Sequence, residues 1–135
     1  MRLIDALDQL ARRLVAELDA DACVVSRVLG DVLIMVTQFA TVGTILNLGQ
    51  GFLVSDYPLT AEVLRSGEPA RLTLGDPAVD AAEAELLREL GYSALLMVPL
   101  RVAGEQWGLA EAYRKDTRAF GDADCATATR LAQIG

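Results

Sequence analysis

The sequence predicts an α+β domain built on a β-sheet, and three observations carry that expectation. Helix-spaced and strand-like segments follow one another as helix, hairpin, helix, strand, helix, hairpin, helix. Hydrophobic residues make up 53% of the chain, enough to fill a core. At 135 residues the chain fits a single domain spanning 1–135 and leaves little room for a second.

Each element has its own justification. Leu3, Ile4, Leu7, Leu10, Ala11, Leu14, Val15 and Leu18 recur at helical spacing, and Asp5, Asp8, Gln9, Arg12, Arg13 and Glu17 fill the opposite side. That apolar stripe is broad enough to serve a sheet and a partner helix together. Two β-rich runs, Cys23–Leu29 and Val32–Ala40, flank Gly30-Asp31, a good hairpin junction. Thr41–Ser55 is less regular, with glycines at 43, 49 and 51. Pro58 suits a first helical turn and Gly67 its C-terminal stop, so a short helix lies between them. Arg71–Leu74 reads as a strand, and Asp80–Leu90 as a helix stopped by Gly91. Ser93–Leu100 and Gln106–Tyr113 are strands joined through Gly104, and a last helix runs from about Ala123 to Ile134.

Charge excludes several functions. Nineteen acidic residues against twelve basic ones give a net charge of −7, and Lys115 is the sole lysine. A nucleic-acid surface needs a basic stripe to displace counterions from phosphates, and an anionic membrane needs a basic patch; neither fits this chain. The chain has no histidine, which removes His-ligated haem and zinc and the Ser-His-Asp and Cys-His catalytic arrangements. Cys23 and Cys125 are too few for a disulfide framework or a thiolate metal site. They read as small apolar residues in a reducing compartment, with a redox pair or an intersubunit disulfide as the alternative. Arg2, Asp5 and Asp8 interrupt the opening apolar positions, so no signal peptide is expected, and no apolar run reaches membrane-spanning length. A cytoplasmic location is the expectation.

One stretch is less generic. Tyr92-Ser93-Ala94-Leu95-Leu96-Met97-Val98-Pro99-Leu100, then Gly104, then Trp107-Gly108-Leu109-Ala110-Glu111-Ala112-Tyr113, resembles the C-terminal half of a GAF domain. Arg118 to Asp124 is similar to the usual ending of that family, and Asp56 to Leu64, with Gly67-Glu68-Pro69, to its mid-domain helix and exit. Asp76-Pro77 leading into Glu85–Gly91 fits as well. The resemblance implies an α/β/α sandwich around a mostly antiparallel sheet of about six strands, with the terminal helices on one face and a pocket on the other. It further implies a non-catalytic regulatory sensor, excised from a longer signalling protein. Such a sensor binds a small molecule and controls an attached output domain: a kinase, a cyclic-dinucleotide enzyme or a transcription regulator. The resemblance also implies a homodimer through the terminal helices, which a charge at Leu7 or Leu14 is expected to break. The alternative is a pure dimerisation module whose pocket its own side chains fill. A thiol enzyme using Cys23 and Cys125 is a third reading.

The residues narrow the ligand without naming it. Cyclic-nucleotide relatives carry Asn-Lys and Phe-x-x-x-Asp-Glu; here Phe120 and Asp124 match, Cys125 replaces the glutamate, and Arg114-Lys115 stands where Asn-Lys is sought. A Phe-x-x-x-Asp step also caps an ordinary helix start. Haem-binding relatives use an axial histidine and bilin-binding ones a cysteine, usually beside a histidine, so without histidine neither cofactor is expected, and none is assigned. The cysteines do not match the methionine-sulfoxide-reducing branch either. Gly49-Gln50-Gly51 lacks the further glycine of a dinucleotide loop, and no metal site is expected. Strand alternation places Trp107, Leu109, Glu111 and Tyr113 on one face, toward the pocket, and Gly108, Ala110 and Ala112 beneath the helices. A carboxylate buried there needs an arginine (Arg71 or Arg101), backbone donors, water or a ligand. The candidate ligand-binding residues are therefore Thr37, Tyr57, Arg71, Tyr92 and Glu111. Asp76 and Asp80 read as helix-cap charges, and Glu83, Glu85 and Glu89 as a solvated helix face.

Overall fold

The computed structural model describes residues 1–46, 49–77 and 80–135. Helix α1 (Leu3–Glu17) leads into strands β1 (Ala22–Leu29) and β2 (Val32–Ala40), a hairpin turning at Gly30-Asp31. Strand β3 (Gly51–Leu53), a 3-10 turn at Val54–Asp56, helix α2 (Pro58–Ser66), strand β4 (Ala70–Thr73) and helix α3 (Ala81–Leu90) follow. Strands β5 (Ala94–Val102) and β6 (Glu105–Arg114) form the second hairpin, and helix α4 (Asp122–Leu131) precedes the short strand β7 (Gln133–Ile134).

Every expected element forms. Two strands are additions: β3 pairs with Val32–Ile34, and β7 turns the expected last helical turn into a parallel pair with Arg101–Val102. The irregular reading of Thr41–Ser55 at 47–48, and the helix entry at 78–79, lie outside the described residues. Gly67 and Gly91 end α2 and α3 in the left-handed conformation that glycine adopts without a Cβ penalty.

The strands run in the order β3-β2-β1-β6-β5-β4, all antiparallel, with β7 added beside β5. Helices α1 and α4 pack on one face, over Cys23, Val25, Leu96, Val98, Ala110 and Ala112. The other face carries Val24, Leu33, Met35, Leu95, Met97, Leu109 and Tyr113 beneath Val63 of α2 and Leu87 of α3. The result is an α/β/α sandwich with two apolar cores, one on each side of the sheet. Leu7 and Leu14 are wholly buried in the first core, so they hold this chain together and are not available to a partner.

Two β-bulges set which side chains reach which core. In β2, Thr37 pairs with Val25 and Met35 with Ser26, which leaves Val36 as the extra residue. In β6, Gly108 pairs with Leu100 and Gln106 with Arg101, which leaves Trp107 extra. A bulge breaks the two-residue alternation, and both extra residues pack toward the α1–α4 core. Trp107 therefore leaves the face of Leu109, Glu111 and Tyr113, and Arg27 lies over its ring at 4.6 Å. Gly108 is required beside that bulge, because a Cβ there would overlap the Ser26 carbonyl oxygen.

Candidate functional site

On the α2–α3 side of the sheet lies a small cavity of about 20 Å³, room for about one water molecule. Strand β1 contributes Val24 and Ser26, β2 Leu33, and β6 Glu111 and Tyr113. The segment from Phe52 to Tyr57 closes one side, Thr60 and Glu83 come from the first turns of α2 and α3, and Leu46 sits at the rim. Gln38 holds that rim in place: its side chain accepts from the amides of Ile45 and Leu46, each at 2.9 Å, and donates to the Leu46 carbonyl at 2.7 Å. A wider groove of about 580 Å³ beside Arg101 and Arg130 is open to solvent and holds no buried polar group.

Two acids dominate the cavity's chemistry. Glu111 is 9% exposed and Glu83 3%. Tyr113, two residues along the same strand and so on the same face, donates its hydroxyl to Glu111 Oε2 at 2.9 Å. Thr60 donates its hydroxyl to Glu83 Oε1. Asp80 caps α3 by accepting from the Ala82 amide at 2.9 Å, and its other oxygen accepts from Leu59 of α2 at 2.7 Å. One carboxylate thus joins the starts of both helices and sets Thr60 and Glu83 side by side.

Burial raises the Glu111 carboxyl from its ordinary 4.5 to about 8; the neighbouring Glu83 charge adds to the rise and the Tyr113 hydroxyl opposes it. Glu83 is raised as well, chiefly by burial and then by Asp80, against the Thr60 hydrogen bond. No arginine or lysine is among the described residues lining the cavity. The ion pair considered for Glu111 does not form. Arg101 lies at the wider groove, and Arg71 points to the other face, where it donates to the Phe120 carbonyl at 3.0 Å and meets Asp122 at 3.0 Å.

The structure brings together two of the five candidate residues. Glu111 and Tyr57 line the cavity, and the Tyr57 ring meets Phe52 edge-on at 6.0 Å. Tyr92 is one layer behind, stacked on Tyr113 at 5.3 Å. Thr37 is turned away by the bulge at Val36 and donates to Asp8 of α1. Arg71 is on the α4 side because its neighbour Leu72 takes the inward position of β4. Glu83 corrects the solvated-face reading: Glu85 and Glu89 are exposed, whereas Glu83 is buried. The signal was available, because Glu83 falls in helical phase with Leu86, Leu87 and Leu90 on the apolar stripe. Gln38 and Thr60 carried no comparable signal.

Other residues of note serve the fold. Arg114 is buried, lies 4.0 Å over the Phe120 ring and donates to the carbonyls of Asp19, Arg118 and Ala119. Asp124 accepts from the Gly121 amide at 2.7 Å, the helix-start role open to a Phe-x-x-x-Asp step. Cys23 and Cys125 are free thiols, and burial pushes that of Cys23 far up, which makes it a poor nucleophile. Among the described residues, no three His, Cys, Asp or Glu side chains are grouped to hold a metal, and no helix is long and apolar enough to cross a membrane.

A sheet sandwiched between helix pairs, with a small, mostly apolar cavity on one face, places the chain among the small α/β/α pocket domains. The family model for the GAF domain matches residues 2–134, and the chain belongs to the GAF domain family. Its fold is similar to the blue-light absorbing form of the Thermosynechococcus elongatus PixJ GAF domain, with a TM-score of 0.79 at 20% identity over 96% of this chain and 80% of that one. It is also similar to the GAF domain of a two-component sensor histidine kinase from Bacillus halodurans, with a TM-score of 0.73 at 16% identity over 98% and 89%. A GAF domain/HD domain protein from Geobacter sulfurreducens gives 0.78 at 19% over 96% and 86%. No curated protein matches the chain in sequence.

Proposed function

We propose that this chain is a regulatory sensor module without catalysis of its own, one domain of a longer cytoplasmic signalling protein. One observation carries the reading: a small, mostly apolar cavity holding two buried acids, on the sheet face opposite α1 and α4. A ligand there touches β1, β6, α2 and α3, and the sheet links that site to the terminal helices. Differential affinity for two packings of those helices passes the bias to an attached output domain. The structural neighbours come from a photoreceptor, a histidine kinase and an HD-domain protein, which supports a kinase or HD-type output, with cyclic-dinucleotide enzymes and transcription regulators as the wider class.

The size of the cavity favours a second reading. About 20 Å³ is little more than one water, so a dimerisation module whose pocket its own side chains fill is the competing function. A panel of metabolites and cyclic nucleotides, screened by thermal melting and calorimetry on the purified chain, separates the two. A saturable rise in melting temperature supports the sensor; no response from any compound supports the structural module. Trp107 fluorescence is the wrong probe of occupancy, since its ring lies on the terminal-helix side of the sheet.

A further inference from the structure

We propose that the groove between the end of α4 and the loop after α2 docks an acidic segment of a partner polypeptide, whose carboxylates Arg101 and Arg130 take. This inference goes beyond the sensor reading and does not depend on what the cavity binds.

The chain sets twelve basic residues against nineteen acidic ones, so an unpaired guanidinium is an exception in it. Seven arginines meet carboxylates within the chain, and Arg12 and Arg27 lie over the rings of Phe39 and Trp107. The guanidiniums of Arg101 and Arg130 have no carboxylate, ring or hydrogen-bond partner among the described residues, and both line the same groove of about 580 Å³. Lys115 stands elsewhere: it follows Arg114, the partner of Ala94 at the start of β5, whereas Arg101 lies near the end of that strand.

Local structure brings the two arginines together. The Arg101 amide donates to the Ala132 carbonyl at 3.0 Å and ties the end of β5 to the segment leaving α4. Arg130 is in the last turn of α4. Gly67 to Pro69 form a second wall, and a Cβ at Gly67 would stand 3.1 Å from Arg101 Nη2, so the bare glycine leaves that guanidinium its place. Pro69, Cys125 and Ala126 give the groove an apolar lining for the methylenes of a glutamate.

Exposure selects among the anions. Arg130 is exposed and the groove holds no buried polar group, so a small anion keeps most of its surface in water, where its charge contacts are screened. A polypeptide lying along the groove covers both arginines and excludes that water, which strengthens each charge-assisted bond. A nucleic acid needs a longer basic stripe than two arginines. Glu68 also lines the groove, exposed and without an ion pair to either arginine, so it opposes an acidic partner and fixes the sign of one variant.

Calorimetry of the purified chain with an alternating Glu-Gly octapeptide tests this, with the matched Gln-Gly octapeptide and inorganic phosphate alongside. The expected result is saturable binding of the Glu-Gly peptide alone, weakened roughly tenfold or more as sodium chloride rises from about 50 to 500 mM. Arg101→Gln and Arg130→Gln each weaken binding by roughly tenfold or more, and Glu68→Gln tightens it. Neither guanidinium has a partner within the chain, so both arginine variants keep the parent's melting temperature. Arg88→Gln removes the same charge from a surface pair with Glu85 on α3 and leaves binding unchanged. No saturable binding at low salt, equal binding of the Gln-Gly peptide, or a loss in Arg88→Gln matching that in Arg101→Gln overturns the proposal. Phosphate binding in place of the peptide, lost in both groove variants, assigns the pair to a small anion and overturns the polypeptide partner. A wild-type dimer in sedimentation that Arg101→Gln dissolves assigns the groove to a second copy and overturns it too. Each of these outcomes leaves the sensor reading to the metabolite panel.

Discussion

The unfolded chain has no cavity, so an unfolded Glu111 titrates near 4.5 whereas the folded one titrates near 8. Between those values the native state holds a proton that the unfolded state has already released. Stability therefore falls as pH rises through that window, with a slope approaching about 1.4 kcal/mol per pH unit, and the favourable contribution is complete only below about 4.5. Glu111→Gln removes the titrating group and leaves an acceptor for the Tyr113 hydroxyl. The expected outcome is a flatter profile of melting temperature from pH 5 to pH 8, with the variant more stable than the parent at pH 8 by on the order of a few kcal/mol. Chemical denaturation of both proteins at pH 5, 6, 7 and 8 checks it. Parallel curves for the two would show that Glu111 is not the buried acid responsible. Gly108 shows a different residue-scale constraint. Its missing side chain lets β6 approach the Ser26 carbonyl at the place where the bulge turns Trp107 away.

At the scale of elements, the cavity exists because α2 and α3 start at the same spot. Asp80 accepts from the amides of Ala82 and Leu59, so losing its carboxylate frees donors at two helix N-termini. Asp80→Ala is expected to cost roughly 2 kcal/mol in urea unfolding, at the upper end for a single cap. Asp80→Asn keeps an oxygen for α3 but presents an amide to Leu59, and is expected to fall between the two. If Asp80→Asn equals the alanine variant, the bond to α2 and not the cap of α3 carries the effect. The helices and long strands are legible in the sequence because apolar spacing distinguishes them over eight or more residues. Strand β3, three residues long, and β7, two residues long, are too short for alternation to register, and the partner of β7 lies some thirty positions upstream. The bulges are also invisible to a simple period of two. Alternation from Leu33 sends Thr37 into the cavity, but the extra residue Val36 shifts the phase, and Gln38 faces the rim instead. Glu111 lies beyond the bulge in β6 and keeps its expected face.

For the whole molecule, the question is what the α1–α4 side leaves for a partner. The apolar stripe of α1 is mostly consumed within the chain: Leu7, Leu10, Ala11, Leu14 and Val15 are buried in the core beneath it. What remains outside is a small patch at its start, with Leu3 37% and Ile4 39% exposed beside the more open Met1. The outer side of α4 is polar or small, at Asp122, Ala126, Thr129 and Arg130. The proposed homodimer through the terminal helices would therefore rest on the start of α1. That moves the decisive substitution from Leu7 to Ile4. Ile4→Glu places a charge on the patch without entering the core, and is expected to abolish concentration-dependent dimerisation in sedimentation while changing the melting temperature little. Leu7→Glu buries an unpaired charge against the sheet and is expected to unfold the chain, with a loss of several kcal/mol. A wild-type chain that stays monomeric at high concentration, or a dimer unaffected by Ile4→Glu, would remove the terminal helices as the route by which the cavity's state reaches a second copy. Transmission would then have to run within one chain, from β6 through Ala110 and Ala112 to α1 and α4.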